Sequence, residues 1–222
     1  MRFPLSLKRS RTQKGVEAIE FGLLFLFLLP PFIWMFMNGM NFLRFNKTTD
    51  VSRSAALLTV KGLDFTLPGN QDIISRVASG LDLQNSSTQS ANGVTTGSGL
   101  LIISTVQYIG PTTCASCTNL NKYVFLDQVY VGNKTLAING ATVASALGSP
   151  NSSLWSSTTG VVSSTQTNTG AQVPSTSTGG LPTGMADGQI AYVIECFFKP
   201  QGTDAFGTGA FDSAGVYNRV IM

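Results

Sequence analysis

The 222-residue chain contains no histidine, and only 11% of its residues are charged. A Ser-His-Asp or Cys-His catalytic pair, a His-ligated zinc, a haem on a proximal His and a His-based pH switch are therefore excluded by composition. Charge is less than half the usual soluble share of about 25%, which argues against a cytosolic globular enzyme. Cysteine is sparse as well, at three residues. The length fits one domain with an appendage, or two small domains.

The net charge of +3 is the sum of two unlike regions. Five of the fourteen cations, Arg2, Lys8, Arg9, Arg11 and Lys14, lie in the first fifteen residues, where there is no acid. Beyond Gly15, nine cations face eleven acids, a balance of −2. A nucleic-acid binder carries its cations on the folded part, so no nucleic-acid partner is expected.

What the sequence does have is a long apolar run. No charge occurs from Phe21 to Leu43, and residues 16–37 are apolar apart from Glu17, Glu20 and two prolines. Twenty-two helical residues span roughly 33 Å, against a hydrocarbon core of about 30 Å. A cleavable secretory signal has a shorter apolar core and a small-x-small cleavage site. Residues 34–40 offer no such pattern, which favours a permanent anchor in the lipid bilayer. Five cations precede the span, whereas Arg44, Lys47 and Arg53 follow it with Asp50 among them. The positive-inside rule then puts the N-terminus in the cytoplasm and everything after about residue 40 outside.

Glu17 and Glu20 at the start of an apolar helix require a reason, since a charge at the centre of a span costs about 2.5 to 3.5 kcal/mol. One reading is that both complement the positive helix N-terminus, where an acid gains about 0.3 to 1 kcal/mol. The other rests on Lys14-Gly15-Val16-Glu17-Ala18-Ile19-Glu20-Phe21, set between a basic leader and the apolar run. This stretch resembles the processing site of type IV pilin-like proteins of the Flp and tight-adherence (Tad) branch: a glycine, four residues, then glutamate and an aromatic.

Within that branch it is most similar to the TadE- and TadG-like minor pseudopilins. Asp50-Val51-Ser52-Arg53-Ser54-Ala55-Ala56 resembles the helix after their span, and residues 191–200 resemble their late strand ending in an aromatic and proline. The similarity covers residues 9–62 well and the late strands loosely; the middle is not covered. It implies a cut after Gly15 by a prepilin peptidase, leaving Val16 as the new amino terminus and Glu20 as the fifth mature residue. The Glu20 carboxylate would neutralise the amino terminus of a neighbouring subunit. The implied partners are other pilins or pseudopilins and the inner-membrane assembly platform.

Pro30 and Pro31 each remove a helix hydrogen bond, so a kink near Phe27 is expected. It would be either a flexible point for packing or an inconsequential bend. Beyond the span the helix is expected to continue to Gly62. Arg44, Lys47, Asp50 and Arg53 form a polar stripe, with Phe42, Phe45, Thr49, Ser52 and Ala56 on another side. The organisation is thus a leader at 1–15, a transmembrane and stalk helix at 16–61, and an exported domain at 62–222.

That domain reads as a short amphipathic helix over 71–83, a polar loop over 85–99, and strands at 100–109, 122–131, 189–199 and 216–221. The fold class is α+β: a pilin-like stalk helix packed on a small antiparallel sheet. Residues 135–186, 52 positions, carry no charge and are dominated by Ser, Thr, Gly and Asn. They read as a surface insertion with a small ordered base, either exposed to partners or a passive spacer.

In an oxidising compartment, three cysteines favour one disulfide and one leftover thiol. Cys114 with Cys117 is the local candidate, and either one reaching Cys196 is the alternative, with Cys196 expected to be buried. A redox reading of the C-x-x-C lacks the strand-to-helix context that lowers a thiol pKa. Gly97-Ser98-Gly99 is no nucleophile elbow, and Gly207-Thr208-Gly209 completes no nucleotide fingerprint. No enzyme, cofactor or metal site is expected. The competing reading is a single-pass anchored binding or adhesion domain in which the Glu-Phe motif is coincidental.

Overall fold

The computed structural model describes residues 13–138, 140–177, 181–199 and 215–222. The leader cations Arg2, Lys8, Arg9 and Arg11, together with Pro200 and Gly207-Thr208-Gly209, lie outside the described residues. Helix α1 runs Gln13–Val60 with Pro30 and Pro31 inside it. The chain divides into two compact units between Phe42 and Leu43, within this helix.

In the first unit α1 is long and apolar enough to cross a membrane, and its most apolar stretch buries nothing. Phe27, Phe32 and Met35 are 77%, 70% and 73% exposed. In the second unit the α1 segment buries Thr48, Val51, Ser52, Ala55 and Ala56. This i, i+3, i+4, i+7, i+8 stripe is one helical face, rotated from the side expected through Phe45 and Thr49. Its residues are small, and Val51, Ala55 and Ala56 pack into the core formed with the sheet. The hydroxyls satisfy themselves locally: Thr48 donates to the Phe45 carbonyl at 2.7 Å and Ser52 to the Thr48 carbonyl at 2.8 Å. Arg44 lies 5.6 Å from the Phe198 ring centroid, a cation–π contact.

The helix stops where the sequence indicates. Gly62 adopts φ +81°, the Gly62 amide bonds the Thr59 carbonyl, and the Leu63 amide bonds the Leu58 carbonyl. That is a Schellman cap, with Leu58 and Leu63 packed on the core beside it. Helix α2 follows at Pro68–Val77, shorter than expected because Gly80 takes φ +91°. Buried Gln71 ties α2 down, donating to the Phe65 and Ser90 carbonyls and accepting from the Ser86 amide.

The five-stranded sheet has the order β1-β3-β2-β6-β7, from β1 (Asn92–Val94), β2 (Gly99–Ile109), β3 (Lys122–Asn133), β6 (Ile190–Phe198) and β7 (Val216–Ile221). Four strands pair antiparallel, but β1 runs parallel to β3, so the sheet is mixed and not wholly antiparallel as expected. Two short strands, β4 (Ala137–Ile138) and β5 (Ala141–Thr142), form a separate hairpin.

One sheet face packs on the helices: Leu101, Ile103, Val129, Val131, Ile194, Cys196 and Phe198 join Val51, Ala55 and Ile74. A register shift between Thr105 and Val106 leaves Leu126 as an extra residue in β3. The bulge reverses the pleat, so Asp127 shares the helix side with Val129 while Phe125 joins the opposite face.

That opposite face is covered by segment 135–186. Leu147, Val162, Ala171, Val173 and Leu181 pack with Val106, Phe125 and Val193, and Leu136 packs with Leu100, Ile102 and Phe197. The segment also lines the free edge of β3, with bridges Asp127–Val161 and Val124–Gln172. Where a surface appendage was expected, its described part supplies a second layer. The apolar residues are few, but each sits where a turn brings it to the sheet.

Candidate functional site

The residues singled out by the sequence fall in three places. Gly15, Val16, Glu20 and Phe21 occupy the first turns of α1 from Gln13. Val16 is 61% and Phe21 70% exposed, and a Cβ at Gly15 would meet nothing within 4 Å. Glu20 is exposed, two turns from Gln13 and beyond the turn over which a helix N-terminus stabilises an acid. It makes no hydrogen bond or ion pair among the described residues. Phe21 stacks on Phe25, with ring centroids 6.3 Å apart. Further along, Leu28, Pro31, Phe32 and Met35 border a shallow apolar groove, and the helix runs on through Pro30 and Pro31.

The cysteines are free thiols and occupy two separate places. Cys196 is buried in the helix-side core, where burial pushes its thiol up to about 12, opposed by a hydrogen bond with Ser52. Cys114 and Cys117 lie in the β2–β3 loop. Cys196 pairs in register with Leu101, eight residues from the end of β2 at Ile109. At about 3.3 Å per residue that is about 26 Å, whereas a disulfide needs Cα atoms within about 7 Å. A bridge from Cys114 or Cys117 to Cys196 is therefore out of reach. Within the loop, the Cys117 thiol lies 3.8 Å from the Cys114 carbonyl. Its hydrogen bond to the Cys114 sulfur lowers that thiol's pKa, while desolvation and Cys114 raise that of Cys117.

The loop is clamped by Asp187, a lone acid that no sequence motif marks. Its carboxylate accepts from the amides of Gly110, Thr112 and Thr113 and from both threonine hydroxyls. Desolvation opposes ionisation here, but the threonine and amide donors outweigh it and hold the carboxyl well below the usual range.

The third place is the covered sheet face, where Glu195 is fully buried. It accepts from the Ser145 hydroxyl, from the Ala146 amide at 2.9 Å and from the Tyr217 hydroxyl at 2.8 Å. Burial and the Glu195 charge push the Tyr217 phenol up, so it stays a donor. Nearby, Gln128 donates to Ser104 at 3.1 Å and to the Gly148 carbonyl at 3.1 Å, and accepts from the Tyr130 hydroxyl at 2.9 Å. The Trp155 indole donates to the Gln128 carbonyl at 2.8 Å. These bonds fasten segment 145–155 to the sheet. An acid interrupting the apolar alternation of β6 was a visible signal for Glu195; its partners fifty residues earlier were not.

On the helix side, a cleft of about 340 Å³ contains Asp64, Thr105, Asp127 and Tyr192. Burial raises the Asp127 pKa, against a hydrogen bond from Thr105 at 2.8 Å. No group of three or more His, Cys, Asp or Glu side chains suited to a metal occurs among the described residues. No protein-family model, curated protein or solved structure matches this chain.

Proposed function

We propose that the chain is a membrane-anchored, pseudopilin-like structural protein of TadE type. It would take part in assembling a Tad-type pilus or a related secretion apparatus, and its mechanism is lateral packing of the α1 apolar segment. The N-terminus is cytoplasmic, the anchor sits in a bacterial inner membrane, and the unit from Leu43 onward stands outside.

The observation that carries this reading is Glu20: an exposed carboxylate without a partner, set among exposed Val16, Ile19, Phe21, Leu23 and Leu24. In lipid such a carboxylate is costly alone and tolerable when paired with a cation. Cleavage after Gly15 creates a cation four residues away in sequence, the ammonium of Val16. The amine of one subunit then faces Glu20 of the next while the exposed aromatic residues pack laterally, and no bond is made or broken by this protein. The chain ends up as a filament subunit or priming component, with a prepilin peptidase and platform proteins as partners.

The test is co-expression of the full chain with and without a Tad prepilin peptidase, followed by intact-mass measurement. A product beginning at Val16 only when the peptidase is present is expected; a chain beginning at Met1 in both samples overturns the cleavage. Glu20→Ala is expected to insert normally but to lose co-purification with the assembly platform. Undiminished co-purification would overturn the role of Glu20.

A further inference from the structure

Beside the Glu195 network, β1, β3 and segment 143–155 enclose a cleft of about 320 Å³, at the small end of the range of about 300 to 1,000 Å³ for ligand pockets. Its floor is aromatic: Tyr130 and Trp155 meet edge to face, with centroids 5.9 Å apart and planes at 86°. The polar atoms of that floor are already engaged. The Trp155 indole bonds the Gln128 carbonyl, and the Tyr130 hydroxyl bonds Gln128 and Ser149. Both rings are therefore held in place and offer carbon surface.

The rim is the reverse. The side chains of Asn92, Lys134 and Ser152 line the cleft and make no hydrogen bond or ion pair among the described residues. A fixed apolar floor with uncommitted donors and acceptors around it is the arrangement of a small-ligand site.

We infer that this cleft binds an acidic sugar ring of the hexuronate class. The apolar C–H surface of the pyranose sits in the corner formed by the perpendicular Tyr130 and Trp155 rings, its hydroxyls meet Asn92 and Ser152, and its carboxylate meets the Lys134 ammonium. A single cation suits one carboxylate, and the mixed donors and acceptors suit hydroxyls. The site lies wholly within the unit from Leu43 onward, so the inference stands or falls independently of Glu20 and of the pilus reading.

The experiment uses the full chain in detergent with Trp34→Phe, which leaves Trp155 as the single tryptophan. Trp155 emission is titrated with sodium galacturonate and, separately, with methyl galactoside. A saturable change with galacturonate is expected, with a Kd of about 1 mM for a ligand of this size. Lys134→Met should weaken galacturonate about tenfold, the loss of one charge-assisted hydrogen bond, and leave methyl galactoside unchanged. Asn92→Ala should weaken both sugars. Near-UV circular dichroism verifies that each variant is folded. No saturable response to ten times that concentration overturns the site, as does a response unaltered by both variants. Equal affinity for the two sugars overturns the acidic class.

Discussion

The Tyr217 hydroxyl on edge strand β7 donates to the fully buried Glu195 carboxylate on β6 at 2.8 Å, and the same carboxylate binds Ser145 and Ala146. One acid thus links the last strand of the sheet to the layer covering it. Glu195→Leu would leave three donors without an acceptor, at about 1 to 3 kcal/mol for each one that stays buried. A loss of about 3 kcal/mol is expected in urea unfolding of the Trp34→Phe chain followed by Trp155 emission. Tyr217→Phe removes one donor and should cost about 1 kcal/mol.

Helix α1 approaches the sheet through small residues. Ala55 is fully buried, so Ala55→Leu forces the helix away from the sheet and should destabilise by about 1 to 3 kcal/mol. Leu57, 54% exposed on the other side of the helix, should accept Ala with a change within about 0.5 kcal/mol. The same urea titration distinguishes the two.

Asp127 and Asp187 respond oppositely to pH. Burial raises Asp127 above its ordinary 3.8; its folded form prefers the proton, so stability is full below pH 3.8 and falls as pH rises through the native value. Asp127→Asn, which keeps an acceptor for Thr105, should be more stable than the parent at pH 7 and equal to it below about pH 4. Asp187 is held below 3.8 by its donors, so its stabilisation is present above 3.8 and lost as pH falls toward the lower native value. Protection of the Thr112 and Thr113 amides, relative to their intrinsic exchange rates at each pH, should fall there, and Asp187→Asn should show that loss already at pH 7.

Thiol alkylation should be ordered by environment. Cys114, the lowered thiol of an exposed loop, should react first. Cys196, at about 12 and buried, should react only after denaturation. Peptide mass spectrometry of native and denatured samples reads the order directly. Mild oxidation should remove two hydrogens from the 114–117 peptide and leave Cys196 untouched.

Much of the fold was legible where one physical signal dominated. The alternation of 192–198 assigned Tyr192, Ile194, Cys196 and Phe198 to one face and Val193, Glu195 and Phe197 to the other, as the packing has them. Gly62 marked the helix end because positive φ favours glycine. Strand β1 gave no signal: Asn-Gly-Val has no alternation, and a parallel partner leaves no hairpin turn. In 71–83 the helical spacing of Leu81 misled, because its burial is reached in a turn past the helix end, where the Leu81 amide bonds the Ala78 carbonyl and Gly80 and Asp82 take positive φ. Segment 135–186 was hidden by its composition, with buried anchors spaced far apart among hydroxyl residues. The site was harder still. Glu20 stood out by charge alone, whereas Glu195 with Ser145, and Asp187 with Thr112, join residues whose proximity only the finished sheet creates.

The strand order also sets a timetable. Central strand β2 lies between β3, which follows it directly, and β6, which begins only at Ile190. A chain delivered N-terminus first therefore waits for almost its entire length before β2 loses its open side, and every premature stop before Ile190 leaves that side bare. Completion of the sheet thus depends on a single late stretch, and shortened products should be ready substrates for proteolysis and aggregation.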